Sequence, residues 1–415
     1  MKKLIIGGVL VVLLTVLALV AKQALEIPER LEAVPLELTT RAVVPGIPNA
    51  RYFVLSDVEQ MVRDALAARQ REEAYRSQSG QAGELPPLDL LAISGGGDKG
   101  AFGAGLLNGW TASGTRPTFK LVTGVSTGAL IAPFAFLGPE YDKVLEEVYT
   151  TIKPDDVASP RSMLAAIEND GMADNSPLWT LISKHVDERL LAAIAAEHAK
   201  GRILLVATTD LDARQPVVWN MGNIAASGSS NALELFRSIL LASAAIPGAF
   251  PPTMFTVEVD GKRYQEMHVD GGASAQVFLY PPSMSQVAAK MGEGFVRRGR
   301  AYVIRNASLA PTWAPVERRT INVAARAIDS LITTQGFGDL YRIYATTQQD
   351  NLDFNLAYIG EDFVYKDKKE QFETAFMKAL YDYGLKLGRA GYPWYKAPPG
   401  LSAAPSASVS DTGAR

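Results

Sequence analysis

The sequence predicts a three-layer α/β/α sandwich built on a mixed, mostly parallel central sheet. Three observations carry that expectation. Extended and helical signals alternate along most of the 415 residues, as they do when strands are joined by crossover helices. The run RILLVATTDL from Arg202 is apolar without alternation, which suits a strand covered on both faces. FTVEV, Asp260-Gly261 and KRYQEMHVDGG read as two strands around a two-residue turn, and such a hairpin makes the sheet mixed.

The elements follow in chain order. Lys2 and Lys3 precede an uncharged apolar run, Leu4 to Ala21, about long enough to cross a bilayer as a helix. The charged flank belongs on the cytoplasmic side, so the remainder is expected outside the cytoplasm, on the periplasmic side. The length of the run favours an uncleaved signal anchor over residues 1–21. Ala18, Val20 and Ala21 also offer the small residues of a signal-peptide cleavage site, which would give a secreted form. Residues 22–87 read as a connecting arm, because Pro28, Pro35, Pro45 and Pro48 forbid a continuous helix before Ser56. Ser56 and Glu59 have capping-box spacing, and Met61, Val62, Ala65 and Leu66 give the helix that follows a buried face.

The body spans residues 88–397. It opens with LDLLAI, a strand, then a glycine-rich turn and helix from Ser94, then a second strand, a sharp turn and a helix ending near Leu137. Tyr141 to Thr151 reads as helical. Asn175 or Ser176 before Pro177 caps a helix whose apolar stripe is Leu178, Leu181 and Ile182, then Leu190, Leu191 and Ile194. Pro216 to Asn220 is extended, Asn231 to Ala245 is a helix ended by Pro247-Gly248, Ala301 to Arg305 is a strand, and Val316 to Thr347 is a long helix. Residues 360–397 close the body with a helix and an aromatic end at Tyr392, Trp394 and Tyr395. The Pro-, Ser- and Ala-rich residues 398–415 are expected to be a disordered tail.

Composition excludes some classes. With 41 basic against 44 acidic residues and no long basic run, nothing points to nucleic acid. The absence of cysteine removes disulfides, thiolate metal sites, a thiol nucleophile and a lipidated-cysteine anchor.

Chemistry concentrates in two glycine turns that each follow a strand and open a helix. In GVSTG, Gly124 and Gly128 flank Ser126. A serine on such a tight turn stands exposed at a helix N-terminus, where backbone N–H groups favour negative charge. Taken alone, this pattern is also that of any glycine-rich turn with an incidental serine. The second turn is Gly95-Gly96-Gly97-Asp98-Lys99-Gly100. Gly95, Gly97 and Gly100 satisfy a dinucleotide-binding spacing, but the next strand ends in GVSTG rather than in the acidic residue that would hold a ribose. No Gly-Lys-Ser/Thr is present, so a Walker loop fails too, and no nucleotide is expected. What remains is a set of N–H donors suited to an oxyanion. The histidines are His185 and His198, expected to face solvent from amphipathic helices, and His268. His268 sits two residues before Asp270 and on the same face of an extended strand, which leaves a histidine-assisted serine open.

The glycine turn at Gly95–Gly100, the GVSTG turn at Gly124–Gly128 and Asp270-Gly271-Gly272, in that order and each in a strand-turn setting, resemble the three motifs of the patatin-like phospholipase family. The likeness runs from about Leu88 to Asn306. Lys99 stands where the family accepts Lys or Arg. The resemblance implies a bacterial, membrane-associated member with a patatin-like fold and a Ser-Asp dyad: Ser126 as nucleophile and Asp270 as its base, with no metal or other cofactor. It implies Gly95, Gly96, Gly97, Lys99 and Gly100 as the oxyanion loop, with Lys99 orienting it. Gly271 and Gly272 follow the base, and the partners are a lipid acyl ester and a membrane surface. Two other classes fit the same motifs: an esterase or thioesterase for small soluble acyl groups, and a non-catalytic membrane-associated binding module.

Overall fold

A computed structural model describes residues 29–162, 169–292, 297–310, 313–366 and 368–401. The apolar run Leu4 to Ala21 and most of the expected tail lie outside them. Among the described residues, no helix is long and apolar enough to cross a membrane.

Nine strands make one sheet: β1 (Arg51–Phe53), β2 (Leu88–Ile93), β3 (Leu121–Val125), β4 (Ile203–Asp210), β5 (Gln215–Asn220), β6 (Thr253–Val259), β7 (Lys262–Asp270), β8 (Gly299–Ser308) and β9 (Leu352–Ile359). The main path runs β1-β5-β4-β3-β2-β8-β9, and β7 pairs with β4 and with β6. The five strands from β4 to β9 along that path are parallel, while β1, β5 and the β6–β7 hairpin are antiparallel additions. The hairpin turns at Asp260 and Gly261, both at positive φ (51° and 82°), as an Asp-Gly turn requires.

Alternate residues of the parallel strands enter two cores. Leu91, Ile93, Val122, Leu204, Val206 and Ile304 face one; Leu90, Ala92, Leu121, Leu205, Ala301 and Val303 face the other. The first core is covered by α2 (Gly100–Ala112), α3 (Thr127–Leu137), α4 (Asp142–Thr151), α5 (Ser176–His185), α6 (Glu188–Ala199), α7 (Met221–Ala226), α8 (Ala232–Ser243) and α11 (Thr374–Arg389). The second lies under α1 (Val58–Gln78), α9 (Met284–Lys290) and α10 (Thr320–Gln349). Helices on both faces of a mixed sheet are the predicted sandwich.

Helices α2 and α11 pack backbone to backbone. A Cβ at Gly105 or Gly109 of α2 would come within 2.0 or 2.2 Å of the Tyr381 or Leu385 carbonyl, and Gly384 and Gly388 of α11 are as close to α2. Only glycine lets two backbones approach so nearly.

Several expectations change in detail. The stripe read from Leu178 to Ile194 belongs to two helices. The chain breaks at Val186, and Asp187 caps α6 by accepting the Leu190 N–H at 2.9 Å. The arm helix is capped at Asp57 rather than Ser56. The arm also gives the sheet its edge strand β1, whose Tyr52 pairs with Val218. Strand β9, which has no counterpart in the sequence reading, forms the other edge.

Candidate active site

Strand β3 ends at Val125 and helix α3 begins at Thr127, so Ser126 must reverse the chain in one residue. It does so at φ 55°, ψ −127°, a strained region for a residue with a side chain. The flanking glycines are required by contact. A Cβ at Gly124 would lie 2.4 Å from the Gly128 carbonyl, and one at Gly128 would lie 2.2 Å from the Ile93 carbonyl of β2. The Ser126 N–H donates to Ser243 Oγ at 3.0 Å, and Ser243 in turn donates to the Ala207 carbonyl at 2.7 Å. This serine at the end of α8 thereby fastens the turn to β4.

Strand β7 delivers Asp270 to the same edge. It pairs with β4 only at its last residues, Thr208 opposite Asp270 and Asp210 opposite His268. Ser126 Oγ donates to Asp270 Oδ2 at 2.6 Å, and Asp270 Oδ1 accepts the Gly272 N–H at 2.7 Å. At Gly271 a Cβ would meet the Ala207 carbonyl at 2.5 Å. Both side chains are buried, Ser126 at 8% exposure and Asp270 at 5%. Burial pushes the Asp270 carboxyl up to about 6, and the hydrogen bonds from Ser126 and Gly272 only partly oppose it. A carboxylate so placed holds a proton-accepting oxygen on the serine hydroxyl and titrates just below neutrality.

The first glycine turn lies beside this pair. Its residues divide the work differently from the sequence expectation. The Gly95 N–H donates to the Gln276 carbonyl at 3.0 Å and is not free for an oxyanion. Gly100 donates within the turn, and a Cβ there would strike Thr127 Oγ1 at 2.1 Å, so it lets the two turns pack together. The N–H groups of Gly96 and Gly97, at φ 157° and 58°, have no acceptor among the described residues. Lys99 does not orient the loop: its side chain is exposed and makes no hydrogen bond to it. That role falls to Asp98, buried at 1% exposure, which accepts the Phe372 N–H at 2.9 Å and pairs with Lys368. Asn306, at the end of β8, completes the support by donating to the Ser94 carbonyl at 2.9 Å and accepting the Gly103 N–H at 3.0 Å.

No histidine meets the serine, since Ser126 bonds Asp270 directly. His268 is fully buried, with Nδ1 on Thr208 Oγ1 at 2.8 Å and Nε2 3.3 Å from Glu266. His198 does not face solvent as expected: it is buried against Gly222, and burial lowers its pKa to about 4. His185 is half-buried. Asp210, Glu266 and His268 form a group of metal-ligating types, but their donors are engaged. Glu266 holds Arg51, His268 holds Thr208, and Asp210 Oδ1 accepts the Asp212 and Ala213 N–H groups at 2.9 and 3.2 Å.

Ser126 opens into a pocket of about 50 Å³ walled by apolar side chains, among them Leu130, Tyr149, Ile246, Phe250 and Met377. The structure brings the sequence-predicted Ser126 and Asp270 into contact; Ser243, Asp98 and Asn306, which brace the turns, were not among the residues singled out. Ser243 and Asn306 lie within the Leu88 to Asn306 stretch that the resemblance covers but outside its three motifs; Asp98 sits inside the glycine turn itself.

A buried serine hydroxyl on a carboxylate, beside unpaired amides at the carboxyl edge of a parallel sheet, is the outfit of an acyl hydrolase of the α/β class. The model of the family described as patatin-like phospholipase matches residues 91–281. Over those residues the chain carries a patatin-like phospholipase domain, which supports a lipid acyl hydrolase in general terms. No curated protein matches it. Among solved structures it is similar to VipD from Legionella pneumophila, with 12% identity and a TM-score of 0.33, over 73% of this chain and 67% of that one. It is also similar to human GIVD cytosolic phospholipase A2, with 11% identity and a TM-score of 0.36, over 82% of this chain and 66% of that one. The chain thus spans about two thirds of the length of each.

Proposed function

We propose that this protein cleaves acyl esters of phospholipids or related lipids through a Ser126–Asp270 dyad. The observation that carries the reading is the 2.6 Å hydrogen bond from Ser126 Oγ to Asp270 Oδ2, with Ser126 lining an apolar pocket. Asp270 takes the hydroxyl proton as Ser126 Oγ attacks the ester carbonyl carbon, and the carbonyl oxygen becomes an oxyanion facing the Gly96 and Gly97 N–H groups. Collapse breaks the ester C–O bond, and the proton on Asp270 goes to the departing alkoxide. Water then attacks the acyl-serine, gives its proton to Asp270, and Ser126 leaves as its hydroxyl with that proton. All the groups invoked are on this chain, and no metal enters these steps. The apolar N-terminal run supports a location at a membrane, with the catalytic body on the periplasmic side.

A second reading has one observation in its favour. The pocket at Ser126, about 50 Å³, is far below the roughly 300–1,000 Å³ of ordinary ligand sites, and as it stands it suits a short acyl group. Hydrolysis of nitrophenyl butyrate compared with fatty-acid release from phospholipid vesicles separates the two. Ser126→Ala and Asp270→Asn should each lower either activity roughly ten-thousandfold, with unchanged circular dichroism. Retention of full activity in either folded variant would remove the dyad.

A further inference from the structure

A second cavity opens on the other side of the glycine turn. It measures about 830 Å³ and lies between α10 and the carboxyl ends of β8 and β9, with Lys99 and Arg305 in its lining. Gly97 lines the small apolar pocket and Lys99, two residues on, lines this cleft. The two spaces therefore flank the same glycine turn.

Arg305 is the unusual group there. It is 4% exposed, yet among the described residues its guanidinium makes no hydrogen bond and no ion pair, and its Nε is buried without a partner. The other deeply buried arginines are all engaged: Arg51 with Glu266, Arg116 with Asp142, and Arg202 with Glu197 and two backbone carbonyls. Around Arg305 stand the Phe337 ring, 4.7 Å from the guanidinium carbon, and Gly336, where a Cβ would come within 2.7 Å of Nη1. The nearest acid, Asp339, is already committed, since its oxygens accept the Gln276 and Val277 N–H groups and an Arg342 donor. Of the acids that line the cleft, Asp329 is paired with Arg326 and Glu361 is exposed on the rim.

A buried cation with no hydrogen-bond partner of its own is costly. The planar fork of donors it offers fits the paired oxygens of a phosphate or a carboxylate, and a phospholipid brings the phosphate. We propose that Arg305 anchors the phosphate of a phospholipid headgroup in this cleft, so that an amphiphile straddles the glycine turn with its scissile ester at Ser126. This rests on the hydrolase reading and adds to it the residue that selects phosphorylated over neutral lipids.

The test uses binding as well as turnover. Ser126→Ala protein is titrated with dihexanoyl phosphatidic acid, with dihexanoylglycerol and with inorganic phosphate, alone and combined with Arg305→Gln or Arg305→Lys. The phosphorylated lipid should bind at least tenfold more tightly than the neutral one. Arg305→Gln should abolish that preference, and Arg305→Lys should keep part of it. In the enzyme with Ser126 intact, Arg305→Gln should lower kcat/KM for the phosphorylated lipid about a hundredfold, while nitrophenyl butyrate hydrolysis changes less than twofold. The assignment is overturned by a phosphate preference that survives Arg305→Gln, or by equal loss on both substrates. It is overturned as a headgroup site if inorganic phosphate binds as tightly as the lipid. Retention of the binding preference by a protein that releases no fatty acid would refute the hydrolase reading alone.

Discussion

Strand β7 carries two buried carboxylates four positions apart, Glu266 and Asp270, and they ionise in opposite directions. Burial raises the pKa of both. At Glu266 the guanidinium of Arg51, 2.7 Å away through Nη2, together with His268, more than offsets burial and brings the carboxyl down to about 2. Asp270 has only a hydroxyl and one amide as partners, and burial wins, leaving it at about 6. Depth in the protein is therefore not what separates a structural carboxylate from one that can exchange protons near neutral pH. The counter-ion is. Glu266 stays ionised and fastens the arm's edge strand to the hairpin, whereas Asp270 is left poised between its two forms.

The largest stability effect should come from removing that counter-ion. Arg51→Met leaves the Glu266 charge buried against His268 alone, and breaking a pair of this kind costs about 3–5 kcal/mol, measurable by urea unfolding at pH 7. The sign with pH follows. The native Glu266 pKa is depressed, so its stabilisation is complete above the unfolded value of 4.5 and is lost as pH falls towards about 2. In Arg51→Met that acid-side loss should disappear. A change below 1 kcal/mol would mean that the arm is held by β1 pairing and not by the buried charge.

Asp270→Asn probes the other half of the comparison, with the opposite sign. The folded state binds its proton more readily than the unfolded chain does, so the wild type loses stability as pH rises from about 4 to about 6. Two pKa units at about 1.4 kcal/mol each amount to about 3 kcal/mol. The asparagine variant should be more stable than wild type by about that amount at pH 8, and the gain should vanish near pH 4. An equal gain at both values would refute a charge-based origin.

Much of this was legible in the sequence because glycines mark where backbones touch. Gly124 and Gly128 announced the turn at Ser126, Gly271 the one after Asp270, and the Asp-Gly pair the hairpin that carries Asp270. What was not legible depends on partners far along the chain. Nothing near Asp98 reveals that its oxygen meets the Phe372 N–H, and nothing near Gly95 reveals that Gln276 occupies its amide. Strand β9 alternates polar and apolar residues weakly, and its identity comes from pairing with β8 in parallel. His198 follows Leu191 by seven residues and Ile194 by four, so helical spacing sets it on the buried stripe of α6; residue type, a histidine being more often solvated, is what pointed the other way.

The smallest effect sharpens the comparison most finely. Ser243 touches Ser126 through the backbone and leaves Asp270 alone, so it should affect the geometry of the turn without changing the ionisation of the base. In Ser243→Ala, the Ser126 N–H and the Ala207 carbonyl lose a shared partner, and the strained turn loosens. We expect kcat on nitrophenyl butyrate to fall about tenfold, or about 1.4 kcal/mol. Activity in wild type and variant alike should rise with pH through about 6, as Asp270 becomes the free base. A tenfold loss with an unmoved inflection assigns Ser243 to holding the nucleophile. A shifted inflection would mean that the turn and the base are coupled; an upward shift would mean that the Ser126 hydrogen bond, which holds the Asp270 pKa down against burial, weakens as the turn loosens.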